Sequence, residues 1–85
     1  MNTEAISAEI LRQITARGAG KSICPSEVAR ALDAQAWRSL LGPVRQVAAA
    51  LAREGRVAIL RKGRVVPPAE MRGVIRLALP GMEGG

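Results

Sequence analysis

The sequence predicts a mainly helical α+β domain in which three helices precede a small antiparallel hairpin or sheet. Three observations carry that expectation. Apolar residues recur at helical spacing in residues 3–17 and 37–54, with a shorter amphipathic stretch between them. Alternating apolar residues appear only after Gly55, in residues 56–61 and 74–79. The chain has 85 residues and is 48% apolar, so it can fold but has room for only one compact core. One Trp and no Tyr or Phe mean that this core is built from Ile, Leu, Val and Ala.

The first helix starts from an Asn2 or Thr3 cap, with Glu4 favourable in its first turn. Ile6, Ile10, Leu11 and Ile14 make its apolar stripe, Arg12, Gln13 and Arg17 face away, and Gly18 ends it. Residues 19–22 read as a loop. Ile23 reads as a short extended piece, because the chain leading into a proline is biased away from helix. The second helix opens at Pro25, which suits the first helical position. Cys24 is then the N-cap and Glu27 the residue that reaches back to it, with Ile23 and Val28 at the two hydrophobic staple positions. Val28, Ala31 and Leu32 are expected to face the core, Glu27 and Arg30 to face out, and the helix to end near Asp33.

Residues 33–36 turn the chain into the third helix. Its core stripe is Leu40, Val44, Val47, Ala48 and Leu51, and its outward face carries Gly42, Arg45, Gln46, Ala49 and Arg53. Gly42-Pro43 is the one interruption, because proline inside a helix loses a backbone hydrogen bond. One bent helix over residues 37–54 is favoured over a short turn followed by a helix from Pro43. Gly55 stops it by taking the left-handed conformation a helix end needs. Residues 56–61 then read as a strand, Lys62-Gly63 as a tight turn, and residues 64–66 as a brief return that Pro67-Pro68 ends. Residues 67–73 are a loop, residues 74–79 the last strand with Ile75, Leu77 and Leu79 on one face, and 80–85 a mobile tail.

Helix, extended piece, helix, turn, long helix and hairpin is the order of a winged helix-turn-helix. Here the sequence also resembles a family of small bacterial domains of unknown function. The resemblance rests on Ile23-Cys24-Pro25-Ser26-Glu27-Val28-Ala29-Arg30, Trp37-Arg38, Val44-Arg45, Gly55-Arg56-Val57, Arg61-Lys62-Gly63 and Gly73-Val74-Ile75-Arg76-Leu77. It covers roughly residues 4–78. It implies a winged-helix-like fold over a single domain and brings no assigned activity or site residue.

Thirteen Lys and Arg against seven Asp and Glu give a net charge of +6. The excess is concentrated in residues 56–76, where Arg56, Arg61, Lys62, Arg64, Arg72 and Arg76 face only Glu70. A concentrated basic segment attracts polyanions, and duplex DNA is the expected one. In a winged helix the third helix enters the major groove and the wing touches backbone. The candidate DNA-binding residues are therefore Arg38, Arg45, Gln46 and Arg53 on the third helix and Arg61, Lys62, Arg64 and Arg72 on the wing. Arg and Gln can address guanine and adenine edges or phosphates. The bland alternative for the helix is a solvated face, since alanines 48–50 and 52 offer no base readout. For the wing it is a charged hairpin tip that discourages strand pairing with other chains. Arg38 can instead pair with Asp33 or Glu27.

Trp37 is expected to be a packing anchor, since binders of single strands use several aromatics. Cys24 is expected to be a small cap residue rather than a thiol sensor, and a lone cysteine fits a reducing cytoplasm. No His, no cysteine cluster and no carboxylate pair at ligand spacing argue against an enzyme, a metal or a cofactor. Gly18-Ala-Gly-Lys-Ser lacks the spacing of a phosphate loop and follows a helix instead of a strand. No run approaches about 20 apolar residues, so no membrane span is expected, and the polar Met-Asn-Thr-Glu start with no apolar run after it gives no sign of a signal peptide. Two readings remain open: a DNA-binding protein, either a regulator or a non-specific duplex binder, and a protein-interaction module of the same fold. Monomer and homodimer are both compatible with the sequence.

Overall fold

The computed structural model describes residues 2–81. Its order is α1 (Thr3–Arg17), β1 (Ser22–Ile23), α2 (Pro25–Leu32), α3 (Trp37–Arg53), β2 (Ala58–Arg61), β3 (Arg64–Val65), a 3-10 turn at Pro68–Glu70, and β4 (Arg76–Ala78). Three helices followed by a small antiparallel sheet make a winged-helix-like α+β fold.

Each helix boundary has a local cause. Asn2 Oδ1 accepts the Ala5 N–H at 2.7 Å, satisfying one of the donors that start α1. Ile6, Ile10 and Ile14 are buried at i, i+4 and i+8, while Leu11 is half-buried. At α2 the Cys24 N–H donates to Glu27 Oε2 at 2.8 Å, the reach-back expected of a capping residue. The staple residues Ile23 and Val28 are both buried. Ala31 is exposed and Ala29 is buried in its place, so the inward stripe of α2 is rotated from the one expected. α3 runs unbroken through Pro43, as the bent-helix reading requires, and ends in a Schellman motif. There Gly55 has φ 75°, its N–H donates to Ala52 O at 3.0 Å, and Arg56 N–H donates to Leu51 O at 2.9 Å.

The sheet is larger than a hairpin. Its order is β1-β4-β2-β3, all pairs antiparallel. β1 was legible only as an extended residue, because its partner lies near the other end of the sequence. Leu77 at the centre of β4 pairs with Ile23 on one side and Ile59 on the other. All three are almost completely buried, and with Val57 and Ile75 they form the face that packs on the helices. On the opposite face Arg76 straps β4 to β1: its Nε donates to Ser22 Oγ at 2.6 Å and Nη2 to Ser22 O at 3.1 Å. Pro80 and Gly81 form a turn, and the rest of the expected mobile tail, residues 82–85, lies outside the described residues.

Polar side chains lock α1 to α2. Gln13 Nε2 donates to Glu9 Oε2 at 2.7 Å and to Glu27 O at 3.2 Å, and Arg17 pairs with Glu27 at 2.8 Å. Glu9 also accepts from Arg12 at 2.6 Å. The Arg12 hydrogen bond holds the Glu9 carboxyl below its usual range, against the opposing effect of burial and with help from Gln13.

Leu77→Ala should lower stability by about 2–5 kcal/mol, read from urea unfolding, because it removes the side chain joining both flanking strands. A carboxyl with a depressed folded-state pKa stabilises above the ordinary carboxylate range, and that contribution is lost as pH falls through the folded value. Glu9→Gln should therefore cost under about 1 kcal/mol near neutral pH and make the urea midpoint less sensitive to acid.

Candidate nucleic-acid interface

α3 presents a narrow exposed stripe. Ser39, Gly42, Pro43, Gln46, Ala50 and Arg53 are exposed along it, while Val44, Val47, Ala48 and Leu51 are buried. Of the expected DNA-facing residues on the helix, Arg38, Gln46 and Arg53 reach solvent. Small residues separate them, so the middle of the stripe offers shape more than hydrogen bonds.

Arg45 is placed differently from the sequence expectation of a free outward side chain. The chain leaving β3 passes along the flank of α3, where the Pro68–Glu70 turn packs against the helix. Arg45 Nη2 donates to Met71 O at 2.7 Å and Nη1 to Gly73 O at 3.0 Å. These charge-assisted bonds fix the loop to the helix and occupy two of the guanidinium nitrogens. Ala49, also expected outward, is buried. Gly73 has φ 67°, which lets the loop turn under the guanidinium and back toward β4.

The wing tip is a two-residue hairpin. Lys62 has φ 54° and Gly63 φ 79°, so both central residues are left-handed, as a type I′ turn requires. Arg61 and Arg64 are direct partners across β2 and β3. Arg61 is half-buried, and Lys62, Arg64 and Arg72 are exposed. Among the described residues none of these four cations makes an ion pair; the pairs present are Glu9–Arg12, Glu27–Arg17 and Glu54–Arg56. Val74 links the two regions. It borders one surface depression with Lys62, Gly63 and Arg76, and another with Leu41 and Arg45 of α3. Val74 thus lies between the hairpin tip and the first half of α3.

The turn between α2 and α3 brings together a cluster the sequence did not single out. Trp37 is half-buried against the core, as expected of an anchor. The guanidinium carbon of Arg30 lies over its ring, 4.2 Å from the centroid, and that of Arg38 at 4.4 Å. The only legible signal for this was the short connection of residues 33–36, which forces the end of α2 close to the start of α3. Asp33 and Glu27, the expected partners of Arg38, are engaged elsewhere. Asp33 Oδ1 accepts the N–H groups of Gln35 and Ala36 at 3.1 and 3.0 Å, and Glu27 holds Arg17 and the Cys24 N–H.

A family model matches residues 3–80 of the chain. The chain belongs to the family described as Protein of unknown function (DUF3253). The span of the DUF3253 domain begins with α1 and passes the end of β4, so helices and sheet form one family unit. No curated protein matches the chain.

The exposed side chains of this DUF3253 surface are mainly cationic: Arg38, Arg53, Lys62, Arg64 and Arg72. Among the described residues no three His, Cys, Asp or Glu side chains gather as metal ligands. No helix among them is long and apolar enough to cross a membrane. Cys24 is half-buried and its sulfur accepts from Ser26 Oγ at 3.1 Å.

The loop clamp is testable by itself. Arg45→Ala leaves the carbonyls of Met71 and Gly73 without their donors. Amide exchange at residues 71–74 should then accelerate at least about tenfold, the loss of over 1 kcal/mol of local protection, while the buried amides of α1 change little.

Proposed function

We propose that this chain is a winged-helix DNA-binding domain, a transcriptional regulator or a non-specific duplex binder, working in the cytoplasm without a cofactor or a catalytic step. The exposed stripe of α3 meets the groove through Gln46 and Arg53. The wing meets backbone phosphates through Arg61, Lys62, Arg64 and Arg72.

The observation that carries this reading is the construction of the wing tip. Arg61 directly faces Arg64, and like charges in register across a sheet oppose each other. Lys62 occupies a left-handed position where Asn or Gly is favoured, at a conformational cost of about 1–2 kcal/mol. Three cations placed against both charge and backbone preference are explained by an anion that draws them together. Edge protection explains a charge on β3 but does not require the lysine at the strained turn position. Arg45 then serves the site by fixing the wing loop beside α3.

The test is fluorescence anisotropy with labelled random duplex DNA across a salt series. The native chain should bind at about micromolar Kd at low salt, weakening steeply as salt rises. Changing Arg61, Lys62 and Arg64 together to Ala should flatten the salt slope by about 0.9 for each phosphate left unneutralised. Lys62→Asn separates function from edge protection: it should stabilise the fold by up to about 1 kcal/mol and yet weaken DNA binding. Absence of binding at low salt rules the DNA reading out.

A second reading, a winged-helix module that docks a protein, has one observation in its favour. Val74 is 85% exposed and Val65 49% exposed beside the basic tip. Retained partner capture by a chain with no DNA affinity would select it.

A further inference from the structure

We infer that Arg30 and Arg38, held over Trp37, form a second phosphate clamp that grips the backbone of duplex DNA at the start of α3. This rests on the DNA reading above and adds a site to it, one that includes a residue of α2.

The cluster carries two positive charges and, among the described residues, no carboxylate to balance them. Both guanidinium groups lie over a single indole, their carbons 4.2 and 4.4 Å from its centroid, so one ring positions two positive charges. The ring attracts each of them, by about 0.5–1 kcal/mol at an exposed site, but neutralises neither charge. Among the described residues neither arginine has a carboxylate partner. The helix end makes the imbalance larger. The first turn of α3 contains no acidic residue, its N-cap Ala36 supplies no capping side chain, and Arg38 adds a cation where the helix dipole favours an anion. Asp33, which accepts the Ala36 N–H, serves the helix start but pairs with neither arginine, so both guanidinium groups stay open to phosphate oxygens.

The geometry also suits the task. Stacking on an aromatic face leaves the N–H edge of a guanidinium open, and that edge matches the two oxygens of a phosphate. Both arginines are exposed, so the clamp can be reached without a change of fold. Trp37 holds them in place from a half-buried position against the core, which reduces the rotamer freedom given up on binding. The clamp reads no base, so it adds affinity and orientation without sequence preference.

The experiment uses the full chain and random duplex DNA across a salt series. Three samples are compared: the native chain, Arg30→Gln with Arg38→Gln, and Arg30→Lys with Arg38→Lys. Thermal melts confirm that each is folded. The glutamine pair should bind several-fold more weakly and flatten the salt slope by about 0.9 for each phosphate released, while the lysine pair keeps most of the slope. Trp37 is the only aromatic residue, so its emission reports on this cluster directly. DNA should change that emission in the native chain and leave it unchanged in the glutamine pair. Native DNA binding with an unaltered slope in the glutamine pair overturns the clamp and leaves the wing reading standing. A salt slope flattened as much in the lysine pair as in the glutamine pair also overturns it, because charge is then not what acts. If the native chain binds no DNA, both readings fall together.

Discussion

β1 is two residues long, yet the sheet closes through it. Ile23 and Ser22 pair with Leu77 and Ala78, joining the segment between the first two helices to the last strand of the domain. That pairing puts Leu77 between Ile23 and Ile59 and gives the helices a continuous apolar floor. It also sets the start of α2, because Cys24 follows β1 directly and the Ile23 and Val28 staple is buried once the strand is in place. β1 thus anchors the start of α2 from the sheet side, as Gln13 and Arg17 anchor it from α1 through Glu27. The outer strap from Arg76 to Ser22 closes the same joint from the solvent side.

The polar interactions divide the molecule into two parts with different electrostatic character. On α1 and α2 the arginines that bond carboxylates are tied down: Arg12 to Glu9 and Arg17 to Glu27. From the α2–α3 turn onward the cations mostly bond to backbone, rest on an indole, or face solvent. Arg45 is the case that shows how the two roles exclude each other. Its guanidinium is committed to Met71 and Gly73, so it shapes the surface from beneath instead of meeting a ligand. The charge that remains available lies at the two ends of the α3 stripe and on the hairpin tip.

Much of this fold is written in local signals. Asn2, Gly18, Pro25, Glu27 and Gly55 mark helix ends by capping chemistry that needs no knowledge of the rest of the chain, and Lys62-Gly63 marks its own turn. The stripe of Ile6, Ile10 and Ile14 needs only helical period. The failures share a different cause. β1 is too short to show a period and is defined by a distant partner. Arg45 and Ala49 fall on the outward face of an isolated helix, and the segment that covers them has no periodic pattern to announce it. Ala31 was assigned inward from spacing alone, whereas the angle at which α2 meets α1 and α3 buries Ala29. For the candidate site, the wing was legible because charge and turn chemistry sit together in sequence. The cluster on Trp37 was not, since Arg30 belongs to one helix and Arg38 to the next.

The central position of β4 has a consequence for how the protein is made. The strand that belongs in the middle of the sheet comes after every other element, at Arg76–Ala78, while the strands on both sides of it are synthesised earlier. On the ribosome the helices and the β2–β3 hairpin can form as local structure, but Ile23 and Ile59 have nothing between them until residues 76–78 have been added. The pairing of β4 with β1 therefore closes the longest loop in the sheet, the kind of contact whose entropy cost slows folding.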